Sequence, residues 1–329
     1  MPELTLAKSL NQAMRTAMAQ DSRVLVLGED VGRLGGVFRV TDGLQDEFGA
    51  DRVVDTPLAE SAIVGVAIGL ALRGFRPVCE IQFDGFVYPA FDQIVSQLAK
   101  MRARSGGRVR LPVVIRIPAA GGIGAVEHHS ESNEAYFAHT AGLRVVSCAN
   151  PADAFRLLRA AIACDDPVVF YEPKRRYWDR GEVDLDAPLA SLDRAMVLRK
   201  GSHCTLVAHG ATVATALAAA AAAAEDGVSV GVVDLRTISP LDVDTVARCA
   251  RESGRVVVVH EAATFFGLGA EIAAAVTERC FDDLRAPVAR VGSYGLPYPP
   301  AKLEDEFVPD VDRVLLAVRS TLSSERSPA

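Results

Sequence analysis

Long apolar runs are missing from this sequence. The longest stretches of that kind, such as the Ala-rich segment from Ala214 to Ala224, fall far below the roughly 20 residues a membrane helix needs, so no membrane partner is expected. The opening Met1-Pro2-Glu3-Leu4-Thr5-Leu6-Ala7-Lys8 lacks the basic head and apolar core of a secretory signal, and a cytoplasmic location is the expectation. Paired cysteines are missing too. Cys79, Cys148, Cys164, Cys204, Cys249 and Cys280 make no CxxC and no short pairing, which excludes the usual zinc sites and disulfide frameworks and fits a reducing compartment. There is no excess of basic charge: 35 Lys and Arg stand against 42 Asp and Glu, a net charge of −7 that argues against nucleic acid or an anionic membrane surface as partner. No Walker loop, GxSxG elbow or HExxH pair occurs.

What is present is a chain for large cores. Half of the 329 residues are apolar and 23% are charged, a globular composition long enough for about two domains. Leu6, Leu10, Met14 and Ala17 recur at helical spacing, and the continuous apolar run Val24-Leu25-Val26-Leu27 follows as a buried strand. The alternation continues with a helix from about Glu60 to Leu72, strand Pro77 to Ile81, a helix near Pro89 to Met101, strand Val113 to Ile117, helix Pro151 to Ala163 and strand Val168 to Tyr171. A charged stretch without sustained period, Glu172 to Lys200, carries the domain boundary. A second alternation follows: strand Cys204 to Ala208, helix Ala211 to Glu225, strand Val228 to Asp234, helix Asp242 to Glu252, strand Val256 to His260, helix Leu268 to Arg279 and strand Val288 to Val291. Asp310 caps a last helix, and Ser320 to Ala329 reads as a frayed tail. The fold class is α/β, with mainly parallel sheets.

In such sheets the chemistry gathers beyond the carboxyl ends of the strands, and four stretches stand there. Asp55-Thr56-Pro57-Leu58-Ala59-Glu60 opens an apolar helix. Glu60 could simply complement the helix dipole, but it misses the capping-box spacing from Thr56 and precedes an almost uninterrupted apolar run, so a semi-buried carboxyl seeking a ligand is the sharper reading. Gly121-Gly122-Ile123-Gly124, leading to His128-His129-Ser130, suits a ligand-facing loop. A metal is disfavoured because adjacent histidines in extended chain point opposite ways and no matching Cys or carboxylate accompanies them. The aromatics of the strand end Cys79 to Asp92, namely Phe83, Phe86, Tyr88 and Phe91, are core packing or the wall of a heterocycle pocket. Gly267-Leu268-Gly269 only half matches a dinucleotide fingerprint and reads mainly as a helix start.

The order and spacing of Gly28-Glu29-Asp30-Val31, Gly35-Gly36-Val37-Phe38, Asp55-Thr56-Pro57-Leu58-Ala59-Glu60, Cys79-Glu80-Ile81-Gln82-Phe83, Pro89-Ala90-Phe91-Asp92-Gln93-Ile94 and Asp234-Leu235-Arg236-Thr237-Ile238-Ser239-Pro240-Leu241-Asp242 are specific in combination. Taken together they closely resemble the beta chain of the thiamine-diphosphate-dependent 2-oxo acid dehydrogenases, over nearly the whole sequence. The resemblance implies a pyrimidine-binding α/β domain over residues 1–185, a linker over 186–200 and a transketolase C-terminal-like domain over 201–329. It implies that thiamine diphosphate is shared with an alpha subunit, which holds the diphosphate and Mg2+, in an α2β2 heterotetramer, and that a lipoyl-bearing acyltransferase takes the acyl group. Consistently, the diphosphate motif, Gly-Asp-Gly before an Asn-rich stretch, is absent.

Carried over by position, Glu60 is the carboxyl that hydrogen-bonds the aminopyrimidine nitrogen, while Leu58, Gln82 and Phe86 line that ring, Phe86 standing where many relatives carry Tyr. His129, in His129-Ser130-Glu131-Ser132, matches the histidine of His-Ser-Gln-Ser, implicated in proton delivery and acyl transfer to lipoamide. A structural potassium ion is left open, because Ala161 and Cys164 depart from the side chains sought there. Phe170-Tyr171-Glu172-Pro173-Lys174 with Tyr177, and Glu134-Ala135-Tyr136-Phe137-Ala138-His139, resemble the branched-chain members, so branched-chain 2-oxo acids rank first as substrate and pyruvate second. A non-catalytic α/β subunit is the rival of another class; a single-chain transketolase-like synthase would need more residues.

Overall fold

The computed structural model describes residues 1–323 and divides into two compact units. The first comprises residues 1–120 and 128–192; the second takes residues 121–127 and the chain from Asp193 onward.

In the first unit, β1 (Glu3–Thr5) leads into α1 (Leu6–Gln20), whose first turn is capped by Thr5 Oγ1 accepting from the Lys8 N–H. The strands β2 (Val24–Gly28), β3 (Val53–Asp55), β4 (Arg76–Glu80), β5 (Val114–Ala119), β6 (Arg144–Ser147) and β7 (Val168–Pro173) lie parallel in the order β6-β7-β5-β4-β2-β3. A last short strand, β8 (Arg180–Glu182), pairs antiparallel with β1. Parallel strands are covered on both faces, which is why β2, β5 and β7 are buried along their whole length. The stripe Leu6, Leu10 and Met14 is fully buried on α1, which packs against α6 (Pro151–Ala163); each such side chain contributes roughly 1.5 to 3 kcal/mol of burial. Asn150 caps α6 by accepting from the Asp153 N–H at 2.9 Å, with Pro151 at the first helical position.

Helix α3 (Glu60–Leu72) and the shorter helices α2 (Leu44–Phe48), α4 (Ala99–Arg104) and α5 (Glu134–Ala138) also belong to this unit. The single helix expected from Pro89 to Met101 is instead three pieces: a 3-10 turn over Asp84–Ala90, a wide π turn over Gln93–Leu98, and α4. Pro89 has no N–H to give to a regular helix, and the tighter turn absorbs it.

The second unit holds β9 (Met196–Arg199), β10 (Cys204–Ala208), α7 (Thr212–Glu225), β11 (Val230–Asp234), β12 (Thr237–Ser239), α8 (Val243–Ser253), β13 (Val256–Ala263), α9 (Leu268–Cys280), β14 (Ala289–Ser293), α10 (Glu304–Phe307) and α11 (Val311–Ser323). Its sheet runs β14-β13-β10-β11-β9, all parallel except the edge strand β9. Ala216, Ala219, Ala220 and Ala223 line the buried side of α7, small side chains that let the helix lie close on the strands. Asp310 caps α11 by accepting from the Arg313 N–H at 2.7 Å. The expected frayed tail is corrected at its start, since α11 continues to Ser323 with Thr321 buried; residues 324–329 lie outside the described part.

Candidate active site

The segment from Gly28 to Glu60 is organised by its own backbone and one carboxylate. Asp55, at the end of β3, accepts from the Gly32 N–H at 2.6 Å and the Arg33 N–H at 3.3 Å, and the Thr56 N–H donates to the Gly28 carbonyl at 2.9 Å. This fixes the start of α3, where Glu60 is the first helical residue and half-buried, with no side chain capping the helix from Ala59. Burial, then the charges of Asp30 and Glu60, raise the Glu29 carboxyl above its ordinary range. Gln82 Nε2 donates to the Glu29 carbonyl at 3.5 Å. Glu29 is therefore the residue that relates Glu60 to Gln82, a part the sequence did not single out.

The 3-10 turn Asp84–Ala90, packed against α3, carries Phe86. His129 lies edge-on to Phe83, ring centroids 4.4 Å apart at 69°, and to Phe86, 5.1 Å apart at 70°. Gly85 permits this approach, because a Cβ there would stand 2.4 Å from the His128 carbonyl oxygen. Phe86 and His129 are thus brought into ring contact, whereas Leu58, in the turn ahead of α3, is 67% exposed and belongs to neither pairing.

Behind the rings lie two buried ionic groups at the ends of β4, β5 and β7. Asp84 and Lys174, both without solvent exposure, pair at 2.7 Å, and burial pushes the Asp84 carboxyl up to about 6 against the pull of the Lys174 ammonium. Arg116 binds Glu172 through two nitrogens and Glu80 through a third. Register explains the second group: Glu80 pairs with Arg116 across β4 and β5, and β7 lies on the far side of β5.

The glycine-rich loop spends part of its backbone on internal hydrogen bonds. Within the second unit the Gly121 N–H donates to Glu261 Oε1, and Gly122 and Gly124 donate to the Glu304 carboxylate at 2.8 and 3.0 Å. Those N–H groups are consumed by the protein itself. Gly267 and Gly269 serve packing at the start of α9, since a Cβ at either would come within 2.7 Å of the His260 ring. Among the described residues no group of three His, Cys, Asp or Glu side chains is placed to hold a metal, and no helix is long and apolar enough to cross a membrane.

Residues 2–178 match the transketolase pyrimidine binding domain, and residues 193–314 match the transketolase C-terminal domain. The chain is 56% identical to the pyruvate dehydrogenase E1 component subunit beta of Leifsonia xyli, over 97% of this chain and 95% of that one. It is 55% identical to the 3-methyl-2-oxobutanoate dehydrogenase subunit beta of Mycobacterium tuberculosis, over 97% and 92%, and 45% identical to the pyruvate dehydrogenase E1 component subunit beta of Bacillus subtilis, over 98% and 99%. Among solved structures, a split gene transketolase, described as an inactive beta4 tetramer, superposes with a TM-score of 0.81 at 24% identity, covering 98% of this chain and 99% of that one, and shares the fold. With both domain models matched in order and relatives this similar over almost their full length, the chain belongs to the beta subunits of the 2-oxo acid dehydrogenase E1 component.

Proposed function

We propose that this chain supplies the aminopyrimidine half of a thiamine diphosphate site in a branched-chain 2-oxo acid dehydrogenase, active only with an alpha subunit that holds the diphosphate and Mg2+. One observation carries the reading above others: Glu60 opens an apolar helix half-buried and uncapped, near enough to Glu29 to raise that carboxyl. The donor set suits an aminopyrimidine. Glu60 offers a carboxyl for a ring nitrogen, Phe86 a half-buried aromatic face, Leu58 an exposed apolar side chain, and Gln82 an amide steadied at the Glu29 carbonyl. Thr56 Oγ1, four residues ahead of Glu60, is buried with no hydrogen-bond partner among the described residues, as expected beside a ligand.

Thiamine diphosphate, when bound, supplies the carbon nucleophile and the electron sink for decarboxylation. Glu60 would hold a proton at its carboxyl oxygen for the ring nitrogen, and Phe86 would offer the ring an aromatic face without the hydroxyl of a Tyr. His129, its ring fixed by Phe83 and Phe86, moves a proton at its imidazole nitrogen during substrate turnover and acyl transfer to a lipoyl group. We place two copies of each subunit in the assembly, α2β2, with a lipoyl-bearing acyltransferase as the acceptor.

The branched-chain preference rests on the Tyr171-Glu172-Pro173-Lys174 stretch and on the Mycobacterium relative. Pyruvate is the second reading, favoured by the Leifsonia relative. A difference of one per cent in identity does not rank them. Glu172 and Lys174 are both buried in ionic groups, so their influence on substrate choice passes through the positions of neighbours. Reconstitution with the alpha subunit from the same source, followed by kcat/KM for 2-oxoisovalerate and pyruvate, tests the proposal. A higher value for pyruvate moves the assignment to the second reading. Each methylene in an apolar pocket is worth only about 1 to 3 kcal/mol, so measurable pyruvate turnover is compatible with the first.

A further inference from the structure

We infer that the buried pair Asp84 and Lys174 positions His129 through the Phe83 ring, so that it acts on the acyl-transfer half of the reaction without touching substrate. The inference rests on the role proposed above for His129.

The geometry is a stack of four groups. Asp84 Oδ1 holds the Lys174 ammonium at 2.7 Å, and the ammonium stands 5.5 Å from the centroid of Phe83, within reach of a cation–π attraction. Phe83 in turn meets His129 edge-on at 4.4 Å and Phe86 at 5.5 Å. Phe38 closes another side of Phe83 at 5.5 Å, so the ring has little freedom to tilt. The backbone of Asp84 also ties down the segment that carries His129. The Asp84 carbonyl accepts from Asn133 Nδ2 at 2.9 Å, and Asn133 Oδ1 accepts from the Tyr171 hydroxyl at 2.7 Å. Lys174 also reaches the Pro118 carbonyl on β5 at 3.5 Å. The stretches around residues 84, 118 and 174 therefore meet at one ammonium, and those around 133 and 171 join them through the Asp84 backbone carbonyl and Asn133.

Stability alone is a poor reason for such a pair. A buried ion pair exchanged for apolar groups of similar shape is often neutral or better, whereas removing one partner leaves a costly buried charge. What the charges add is direction: the ammonium fixes the face of Phe83, and Phe83 fixes the edge of His129. A misplacement of about 1 Å at a reacting group can cost up to a hundredfold in rate.

The test uses the enzyme reconstituted with its alpha subunit and two assays, decarboxylation followed with an artificial electron acceptor and full transfer to lipoamide. The double variant Asp84→Asn with Lys174→Met keeps the shapes and removes both charges of the pair together. It is expected to assemble and to decarboxylate within about twofold of the parent, while transfer to lipoamide falls about ten- to a hundredfold. Phe83→Leu, which removes the ring between the pair and His129, should shift the ratio of the two rates the same way and serves if the double variant fails to assemble. An unchanged ratio in a variant that assembles overturns the inference. His129→Ala is the control for the underlying reading: if it leaves the ratio unchanged, the role of His129 itself is wrong and the inference falls with it. A His129→Ala loss without a Phe83 or double-variant loss removes the positioning role alone.

Discussion

Arg116 and Glu172 are joined by two parallel contacts, Nε to Oε1 at 2.6 Å and Nη2 to Oε2 at 2.9 Å, with neither side chain exposed to solvent. Glu80 takes the remaining arm of the guanidinium at 2.7 Å, and the Tyr177 hydroxyl donates to Glu172 Oε2 at 2.7 Å. One cation thus faces two carboxyls. Burial first of all, aided by the charge of Glu172, raises the Glu80 carboxyl even with Arg116 beside it, so the cluster favours keeping a proton on Glu80.

Replacing the cation exposes that balance. Arg116→Met leaves two buried carboxyls without a counter-charge and is expected to destabilise the first unit by about 3 to 5 kcal/mol. Urea unfolding of the purified chain measures it. A midpoint within error of the parent would show that the guanidinium contributes only shape.

A second expectation concerns acid. In the second unit the strand order reverses between β10 and β13, the place where open α/β sheets usually form a crevice. Here His209 and His260 occupy it. Burial, then the neighbouring His260, lowers the His209 imidazole to about 3, and burial lowers His260 to about 4, while both start from 6.5. Below 6.5 the unfolded chain binds protons that the folded chain refuses, so stability is complete above that pH and declines as pH falls toward the folded values. The slope reaches about 1.4 kcal/mol per pH unit for each group. Unfolding followed over this range should show it, and His209→Gln should flatten the curve even if it lowers the whole of it. An equally steep curve in that variant would assign the acid response to carboxylates.

How much of this was legible beforehand depended on whether the signal was local. The bounds of α3 and α6 could be read because an apolar run follows Glu60 and a long apolar period follows Pro151, whereas Pro57, suited by its ring to a first helical position, lies three residues ahead of α3. The rings around residue 83 were visible as a cluster in the chain itself. The partners of the charges were not: Asp84 and Lys174 lie 90 positions apart, and nothing near either names the other. The same distance hid the fate of the glycine-rich loop, whose N–H groups are taken by a carboxylate 182 positions away in the case of Gly122. Short strands such as β3 and β6, with three or four residues, are too brief to show a period.

The exposed side of α3 leads to a prediction about assembly. This helix is apolar all round, yet Val66 and Leu72 are 54% and 51% exposed and Ala62 and Gly69 lie open beside them. A helix of that kind is normally covered on every side. Val66→Asp should leave the isolated chain folded, since the position already faces solvent, but weaken the complex with the alpha subunit. Light scattering after gel filtration distinguishes a heterotetramer from smaller species. An intact α2β2 mass at micromolar concentration would exclude this face from the contacts that hold the assembly.

Glu60→Gln isolates the proton from the shape. The amide fills the same volume at the first position of α3, and the helix gains no cap in either form, so folding and assembly should be preserved. What changes is the chemistry of the terminal oxygen: a carboxyl gives and takes a proton, whereas an amide does neither at neutral pH. General acid–base groups typically contribute about a hundred- to ten-thousandfold, and a loss of that order is expected in proton exchange at the reactive carbon of thiamine diphosphate in the reconstituted enzyme. Hydrogen–deuterium exchange followed by NMR measures this step apart from substrate binding. Affinity for thiamine diphosphate should change far less, because the substitution keeps the volume of the side chain and alters a single atom of the carboxyl. Exchange at the parent rate would remove Glu60 from the proton path and leave it a residue of the helix start.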